Sequence, residues 1–430
     1  MRGLGLIATV ALVVGNMVGT SVYTLPASLA RTAGPLGIAA WVLTAFGYLF
    51  VALVYASLGV RYPRTGGPYV FAREAFGDFV GFQTVWSYWI SVVIGNAGIV
   101  TGVVGYAVGF SPALAASPLL QFLLGQALLW GLCLVNVIGV RESGRVQITI
   151  MFLNLGALLT LAVIALAHFQ PANLRPFAPH GVWQPLAASA ALVVWAYSGI
   201  ESATVPAEEV ESPTRVIRRG TMVGYALGTL VFLSTAIAVA GVLPNAVAES
   251  SARPLALVAE RTMGSWAAAG IGLAAIVAAT GTLNGWILMA GRIPLSASAD
   301  GIFFSPLARV HPRFHTPWVA LVTGTAITSV LLLLYFQRSL LDVFNFIVGL
   351  SVLTTLLPHL FATSGELMLA RRDADRWDAA ARRRAHLVAR VAFVFVMYTI
   401  YGVGAEVVLW GFLAVLAGTP LYIWFKTRVA

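Results

Sequence analysis

The sequence predicts an all-α polytopic membrane protein of 12 transmembrane helices, two of them broken, built as two inverted five-helix halves followed by two further helices. Three observations lead there. Of the 430 residues, 59% are hydrophobic and only 10% charged, whereas soluble domains carry about a quarter charged residues. Twelve apolar segments approach the roughly 20 residues that a spanning helix needs. Two of these, five apart in order, are interrupted by small residues in corresponding positions.

The segments lie at about 4–30, 36–60, 79–110, 118–139, 146–168, 186–205, 220–243, 265–291, 317–336, 340–365, 387–405 and 407–425. They form one domain over 1–430, with a first five-helix repeat at 1–168, an inverted repeat at 186–365 and two additional helices at 387–425. No stretch is long or polar enough to be a separate soluble domain. The start, Met1-Arg2 before an apolar run, superficially resembles a signal peptide. That run continues past Asn16 to about Ala30 with no small-residue cleavage site in the usual place, so it reads as the first span.

The net charge of +10 and pI near 10.1 raise the question of nucleic acid. Topology answers it better, because Lys and Arg accumulate in cytoplasmic loops. With both termini inside, 21 of the 26 basic residues fall on the cytoplasmic side, including Arg2, Arg141 and the run from Arg371 to Arg390. Only Arg31, Arg175, Arg253, Arg261 and Arg338 remain outside. The single cysteine, Cys133, excludes an intrachain disulfide.

Span one carries Gly15-Asn16-Met17-Val18-Gly19-Thr20-Ser21, and span six carries Ser198-Gly199. Paired breaks in two inverted halves point to a transporter binding site at mid-membrane depth. The half-helix after the first break offers free N–H groups and a partial positive charge, suited to a carboxylate. The first half of span six ends near Ser198 with free carbonyls, suited to an ammonium. Together they would receive the α-amino and α-carboxyl groups of an amino acid, which brings Met17, Gly19, Thr20, Ser21, Trp195 and Ser198 into the candidate site. Glu201 follows the second break, and a carboxylate at that depth is expensive unless partnered or wet. It is either a functional carboxylate or a helix cap near the interface.

In span three, Tyr88, Val92, Asn96 and Ile99 share one helical face. Trp286 in span eight sits deep, one turn from Thr282, although Trp prefers the interface. These aromatics are either packing or a box that closes on a cationic side chain, where a guanidinium on a Trp face contributes about 0.5–2 kcal/mol. His311 and His315 are four apart, but the intervening Pro312 and a loop setting argue against a metal site. His359 in span ten reads as packed or pore-adjacent, and Arg371–Arg384 as a helix lying on the cytoplasmic surface. No zinc-protease helix, phosphate loop or nucleophile elbow is present, so neither an enzyme nor a cofactor is expected.

At these residues the chain resembles the amino acid–polyamine–organocation transporter superfamily, which has the five-plus-five inverted-repeat fold of LeuT. The likeness is greatest to basic amino acid/polyamine antiporters of the arginine/agmatine kind. It is carried by Gly15-Asn-Met-Val-Gly-Thr-Ser-Val-Tyr-Thr-Leu-Pro26 and Gly66-Gly-Pro-Tyr-Val-Phe-Ala-Arg73. Tyr88-Trp89, Gly95-Asn96, Trp195 through Ser202, Gly285-Trp286 and Ala299-Asp300-Gly301 add to it. The resemblance implies that Thr20 and its backbone bind a substrate carboxylate, that Asn96 reaches the substrate side chain, and that Trp286 stacks on a guanidinium or amine. Trp195 would close over the substrate from outside, and Tyr88 and Glu201 would form the inner gate. Glu201 is a candidate protonatable group, and Asn16 and Tyr69 match positions linked to gating or pH response. Departures stand beside these matches. The family's Gly-Ser-Gly is Gly19-Thr20-Ser21 here, the pocket serine of span ten is Gly349, and gate tyrosines become Leu357 and Phe82. A lysine that some relatives place in span five is Asn154.

The expectation is an inner-membrane, multi-pass bacterial transporter working by alternating access, an exchanger of cationic amino acids and related amines. The alternative is a broad or neutral amino acid permease, proton-coupled or not; a channel or a membrane enzyme ranks behind both. The expected partners are the lipid bilayer, a small amino acid or amine and, optionally, a second copy in a homodimer, with no nucleic acid.

Overall fold

The computed structural model describes residues 5–139, 143–205, 207 and 210–429. Arg2 and Arg141, counted above for orientation, lie outside the described residues. The described chain is helical throughout the candidate spans. The first third holds α1 (Leu6–Met17), α2 (Thr20–Ala33), α3 (Gly37–Arg61), α4 (Pro68–Phe76), α5 (Asp78–Ala107), α6 (Pro112–Ala116) and α7 (Pro118–Ile138). The middle holds α8 (Ser143–Leu166), α9 (Trp183–Tyr197), α10 (Pro213–Val242), α11 (Asn245–Glu249), α12 (Pro254–Met263) and α13 (Ser265–Ala299). The last third holds α14 (Trp318–Leu331), α15 (Leu340–Arg372), α16 (Ala379–Val403), α17 (Ala405–Leu416) and α18 (Gly418–Val429).

Among the described residues, 11 stretches are long and apolar enough to cross a membrane. The first, Leu6–Arg61, is 56 residues long, far more than the roughly 30 Å hydrocarbon core requires at 1.5 Å per residue. It contains the break at Val18-Gly19 and a turn at Gly34–Leu36, which separates α2 from α3. The protein is thus a multi-pass membrane protein.

Burial sorts the helices. In α5 and in the α9 stretch 83% of the most apolar window is buried, against 22% in α7 and 11% in α17–α18. The first two are therefore central, and the last two face lipid. Leu134, Val163, Leu387 and Val394 are all more than half exposed, which in lipid carries none of the penalty it would have in water. α5 packs along both α13 and α15, and α10 packs against α1 and α3. The centre of the molecule is thus a cluster of α1, α5, α9, α13 and α15.

Both predicted breaks are present. α1 stops at Met17 and α2 restarts at Thr20; α9 stops at Tyr197, and a short 3-10 turn covers Ile200–Ala203. Glycine is required at each for a different contact. A side chain on Gly19 would collide with Thr282 of α13. Gly199 has φ of 108°, and a Cβ there would stand 2.8 Å from that of Asn16, so the two breaks touch.

Two expectations need correction. The stretch from Arg371 to Arg384 is not a helix along the surface. Arg371 and Arg372 end α15, a short 3-10 turn follows at Ala374–Arg376, and α16 begins at Ala379. Asp378 explains the restart: its carboxylate accepts from the Ala381 N–H at 2.7 Å, an N-cap that begins the last long helix two turns earlier than its apolar run does. The twelfth apolar segment is likewise two helices, α17 and α18, separated at Ala417.

Candidate functional site

The break in α1 leaves the carbonyls of its last turn without helical partners, and side chains from two other helices and from α2 supply them. Thr282 donates to the Gly15 carbonyl at 2.8 Å and Trp286 Nε1 to that of Asn16 at 3.3 Å. Ser21 donates to the Met17 carbonyl at 2.8 Å and Asn154 Nδ2 to that of Val18 at 2.8 Å. Tyr23 in turn donates to Asn154 Oδ1 at 2.5 Å. The end of α1 is therefore satisfied within the protein. The start of α2 is different, because its N-cap residue Gly19 offers no side-chain cap to the first N–H groups.

A small cavity lies between the two breaks. Asn16, Met17, Thr20 and Ser21 line it from the first break, and Trp195 and Ser198 from the second. Tyr88 and Ile99 of α5 and Trp286 of α13 complete the predicted members that meet there. All these residues are buried. Trp195 stands edge-on to Phe344 in the first turns of α15, with ring centroids 5.3 Å apart, so it covers the end of the cavity away from the arginine-rich face.

Three buried polar atoms here have no partner: Asn16 Oδ1, Thr20 Oγ1 and Ser198 Oγ. Native proteins leave few such atoms unpaired, and each costs about 1–3 kcal/mol. Three on the walls of one cavity are what a polar ligand would satisfy.

Glu201 is fully buried just beyond this cavity. Tyr88 donates to its Oε1 at 2.7 Å, and the Gly199 N–H approaches both carboxylate oxygens at 3.2 Å. It caps the free backbone N–H of Gly199 at the break and also holds a cavity-lining tyrosine.

Other predicted residues lie elsewhere. Asn96 is buried, but Gly95 takes the cavity position and Asn96 Oδ1 accepts nothing. Gly349 faces Val407 of α17; Ser351 and Thr355 are the α15 residues on the cavity wall, and Ser91 of α5 hydrogen-bonds to both. On α5 the expected face is otherwise kept, since Tyr88, Val92 and Ile99 line the cavity, whereas on α15 the cavity face is shifted by two residues, from Gly349 to Ser351. A signal for α15 was present: Ser351, Thr355 and His359 recur every four residues. Gly19 serves the close contact with Thr282 and does not line the cavity.

Tyr69 lies at the arginine-rich face. Its hydroxyl meets Ser296 Oγ at 2.9 Å and donates to Asp300 Oδ2 at 3.1 Å, and Asp300 also pairs with Arg73 at 3.3 Å. Arg73 bonds Asp78 at 2.8 Å, which Lys426, the only lysine, reaches from α18. Burial pushes the Tyr69 phenol well above its ordinary range, so it stays protonated near neutrality and acts here as a hydrogen-bond donor. Nearby, Tyr62 donates to Asp373 at 2.6 Å, and Arg372 pairs with the same carboxylate at 2.7 Å.

The sequence matches the amino acid permease family over residues 4–425. It is 28% identical over 422 residues to a putative arginine/ornithine antiporter of Bacillus subtilis, covering 91% of this chain and 89% of the relative. It is 29% identical over 368 residues to the cadaverine/lysine antiporter of Escherichia coli, covering 84% and 82%. It is 26% identical over 422 residues to the putrescine transporter PotE of the same organism, covering 97% and 95%. The likeness to basic amino acid and polyamine antiporters of the amino acid–polyamine–organocation superfamily thus runs over most of the chain.

Proposed function

Because this chain belongs to the amino acid permease family, we propose that it is a secondary active transporter in a bacterial inner membrane that exchanges cationic amino acids and their decarboxylated amines by alternating access. The observation that carries this is the cavity between the two breaks, with three unpartnered polar atoms and two tryptophans on its walls. The α2 N-terminus and Thr20 hydroxyl suit a carboxylate, the α9 end suits an ammonium, and the Trp286 ring suits a flat cation. Trp195 is the outer gate, and Tyr88 with Glu201 the inner one. Relatives named for arginine, lysine and putrescine support the cationic class.

The proposed architecture is the LeuT-type fold of 12 helices. The halves are 1–168 and 186–365, α1–α2 and α9 are the broken helices, and α16 to α18 are the additional pair of spans. The distribution of basic residues supports a cytoplasmic arginine-rich face with both termini inside.

A specific observation favours a second substrate class, neutral or mixed amino acids. Among the described residues no Asp or Glu lines the cavity, and Glu201 beside it is already engaged by Tyr88 and Gly199. Proteoliposomes decide both questions. Empty vesicles are expected to accumulate little labelled arginine and arginine- or agmatine-loaded vesicles much, with lysine and diamines as competitors. Uptake indifferent to internal substrate removes the exchange mechanism. Competition by leucine or alanine as strong as by lysine shifts the assignment to a broad permease.

A further inference from the structure

Five buried polar side chains form one line along α15: Ser351, Thr355, His359, Thr363 and Glu366. Spacings of four, four, four and three residues keep them on a single face. The line starts at the central cavity, whose wall includes Ser351 and Thr355, and ends at a second cavity of about 950 Å³ on the arginine-rich face, whose wall includes Glu366. Polar and ionisable residues inside a spanning helix are costly, and they mark ion or proton pathways more often than packing.

α3 supplies the facing wall. The Tyr55 hydroxyl and His359 Nδ1 are 2.8 Å apart, and the Tyr48 ring stands edge-on to the imidazole at 5.7 Å. Phe395 of α16 packs on Tyr48 from the other side, and Tyr197 of α9 stacks on it. Tyr48 and Tyr55, like Tyr88, are within electrostatic range of Glu201. Three atoms on this seam are buried with no partner: Tyr48 Oη, His359 Nε2 and Glu366 Oε2.

The charged groups facing Glu366 are Arg61 of α3, Arg218 of α10, and Arg384 and Asp378 of the α16 region, with Ser57 of α3 beside them. Two of these are committed elsewhere. Arg61 donates to the Ser57 carbonyl and hydroxyl and stacks on Trp377 at 3.8 Å, and Asp378 caps α16. Glu366 is left with one buried oxygen, Oε2, that accepts nothing.

We propose that this seam is a proton path, in which Glu366 takes a proton from the cytoplasm and His359 carries it to the level of the central cavity, so that substrate exchange responds to cytoplasmic pH. A hydronium ion gives its proton to the Glu366 carboxylate and leaves water. Two turns of α15 separate Glu366 from His359, so water admitted past Thr363 relays the proton to an unprotonated nitrogen of His359, and the carboxylate is restored. As an imidazolium His359 donates from both nitrogens. The Tyr55 hydroxyl must then accept from Nδ1 and turn its own hydrogen away.

This inference rests on the transporter reading, and one assay separates the two. Full-length protein is reconstituted with internal arginine, and exchange of labelled arginine is followed while the pH of the compartment facing the arginine-rich side is varied between about 5 and 8. The wild type is expected to follow a one-proton dependence, up to roughly tenfold per pH unit. Glu366→Gln and His359→Gln are expected to exchange with a flat profile, and Glu366→Asp to restore the slope. The path is overturned if both Gln variants exchange and keep the wild-type profile, or if the wild type exchanges with no pH dependence. If Glu366→Gln does not fold, the His359→Gln profile decides alone. Absence of exchange in the wild type overturns the transporter reading instead.

Discussion

Tyr88 donates to Glu201 Oε1 at 2.7 Å, and this bond joins a side chain on the cavity wall to the carboxylate of the second helix break. Movement of either residue must disturb the other, which is the property a gate needs. A hydrogen bond to a charged group contributes about 1.5–3 kcal/mol. Tyr88→Phe and Glu201→Gln are each expected to slow exchange by about tenfold or more, and the double variant to be little worse than either single one. Fully additive losses in arginine exchange would show that the two side chains act separately.

Trp286 has two duties, a ring on the cavity wall and an N–H to the Asn16 carbonyl at 3.3 Å. Trp286→Phe keeps an aromatic face and loses the N–H, at about 1–3 kcal/mol for the carbonyl left behind. Trp286→Ala loses the stacking surface as well and is expected to weaken arginine binding a further tenfold or so. Binding isotherms of the two variants test this: equal affinities would leave only the backbone role.

Gly199 is constrained twice, by φ of 108° and by Asn16 at 2.8 Å. Gly199→Ala is expected to cost about 1–3 kcal/mol in backbone strain alone, lowering the melting temperature in detergent and abolishing exchange. Asn16→Gly removes the obstructing side chain and should recover part of the melting temperature of Gly199→Ala. No recovery would place the whole effect in the backbone dihedral.

At the arginine-rich face, hydrogen bonds from Arg372 first and Tyr62 second hold the Asp373 carboxyl at about 2, below the ordinary 3.8. Because the folded value is the lower one, Asp373 stabilises the fold above about pH 4, and that contribution disappears as pH falls from about 4 towards 2. The residue is largely solvated, so the effect is at the scale of exposed pairs, about 0.2–1 kcal/mol. Asp373→Asn should melt slightly below the wild type at pH 6, with the gap closing over that acid window. A gap independent of pH would mean that the side chain acts through shape only.

Much of this molecule is legible in residue order because lipid imposes a simple rule: spanning segments must be apolar and helical. Composition alone therefore yields the membrane class, and a glycine or serine interrupting such a run exposes backbone that must do something. That is why Gly19, Thr20, Ser198 and Gly199 stand out without a structure, and why Glu201 does. The ends of the helices in the Arg371–Arg384 stretch were less legible, since charges there suit a surface helix and a capped helix start equally well until Asp378 is seen bonded to Ala381.

What only the tertiary structure decided is rotation and long-range pairing. α5 is buried on nearly every side, so its sequence has no solvent face to settle its rotation finely; Tyr88, Val92 and Ile99 line the cavity as their spacing suggests, but Gly95 and Ser91 stand there rather than Asn96. The same indeterminacy put Gly349 where Ser351 stands. The carbonyls freed by the first break are met by Asn154, Thr282 and Trp286, more than a hundred residues away in sequence. The sequence by itself determined that the chain lies in a membrane and where two of its helices break. Packing alone determined which faces of the unbroken helices close around those breaks, because a helix that is apolar all round carries no preference of its own.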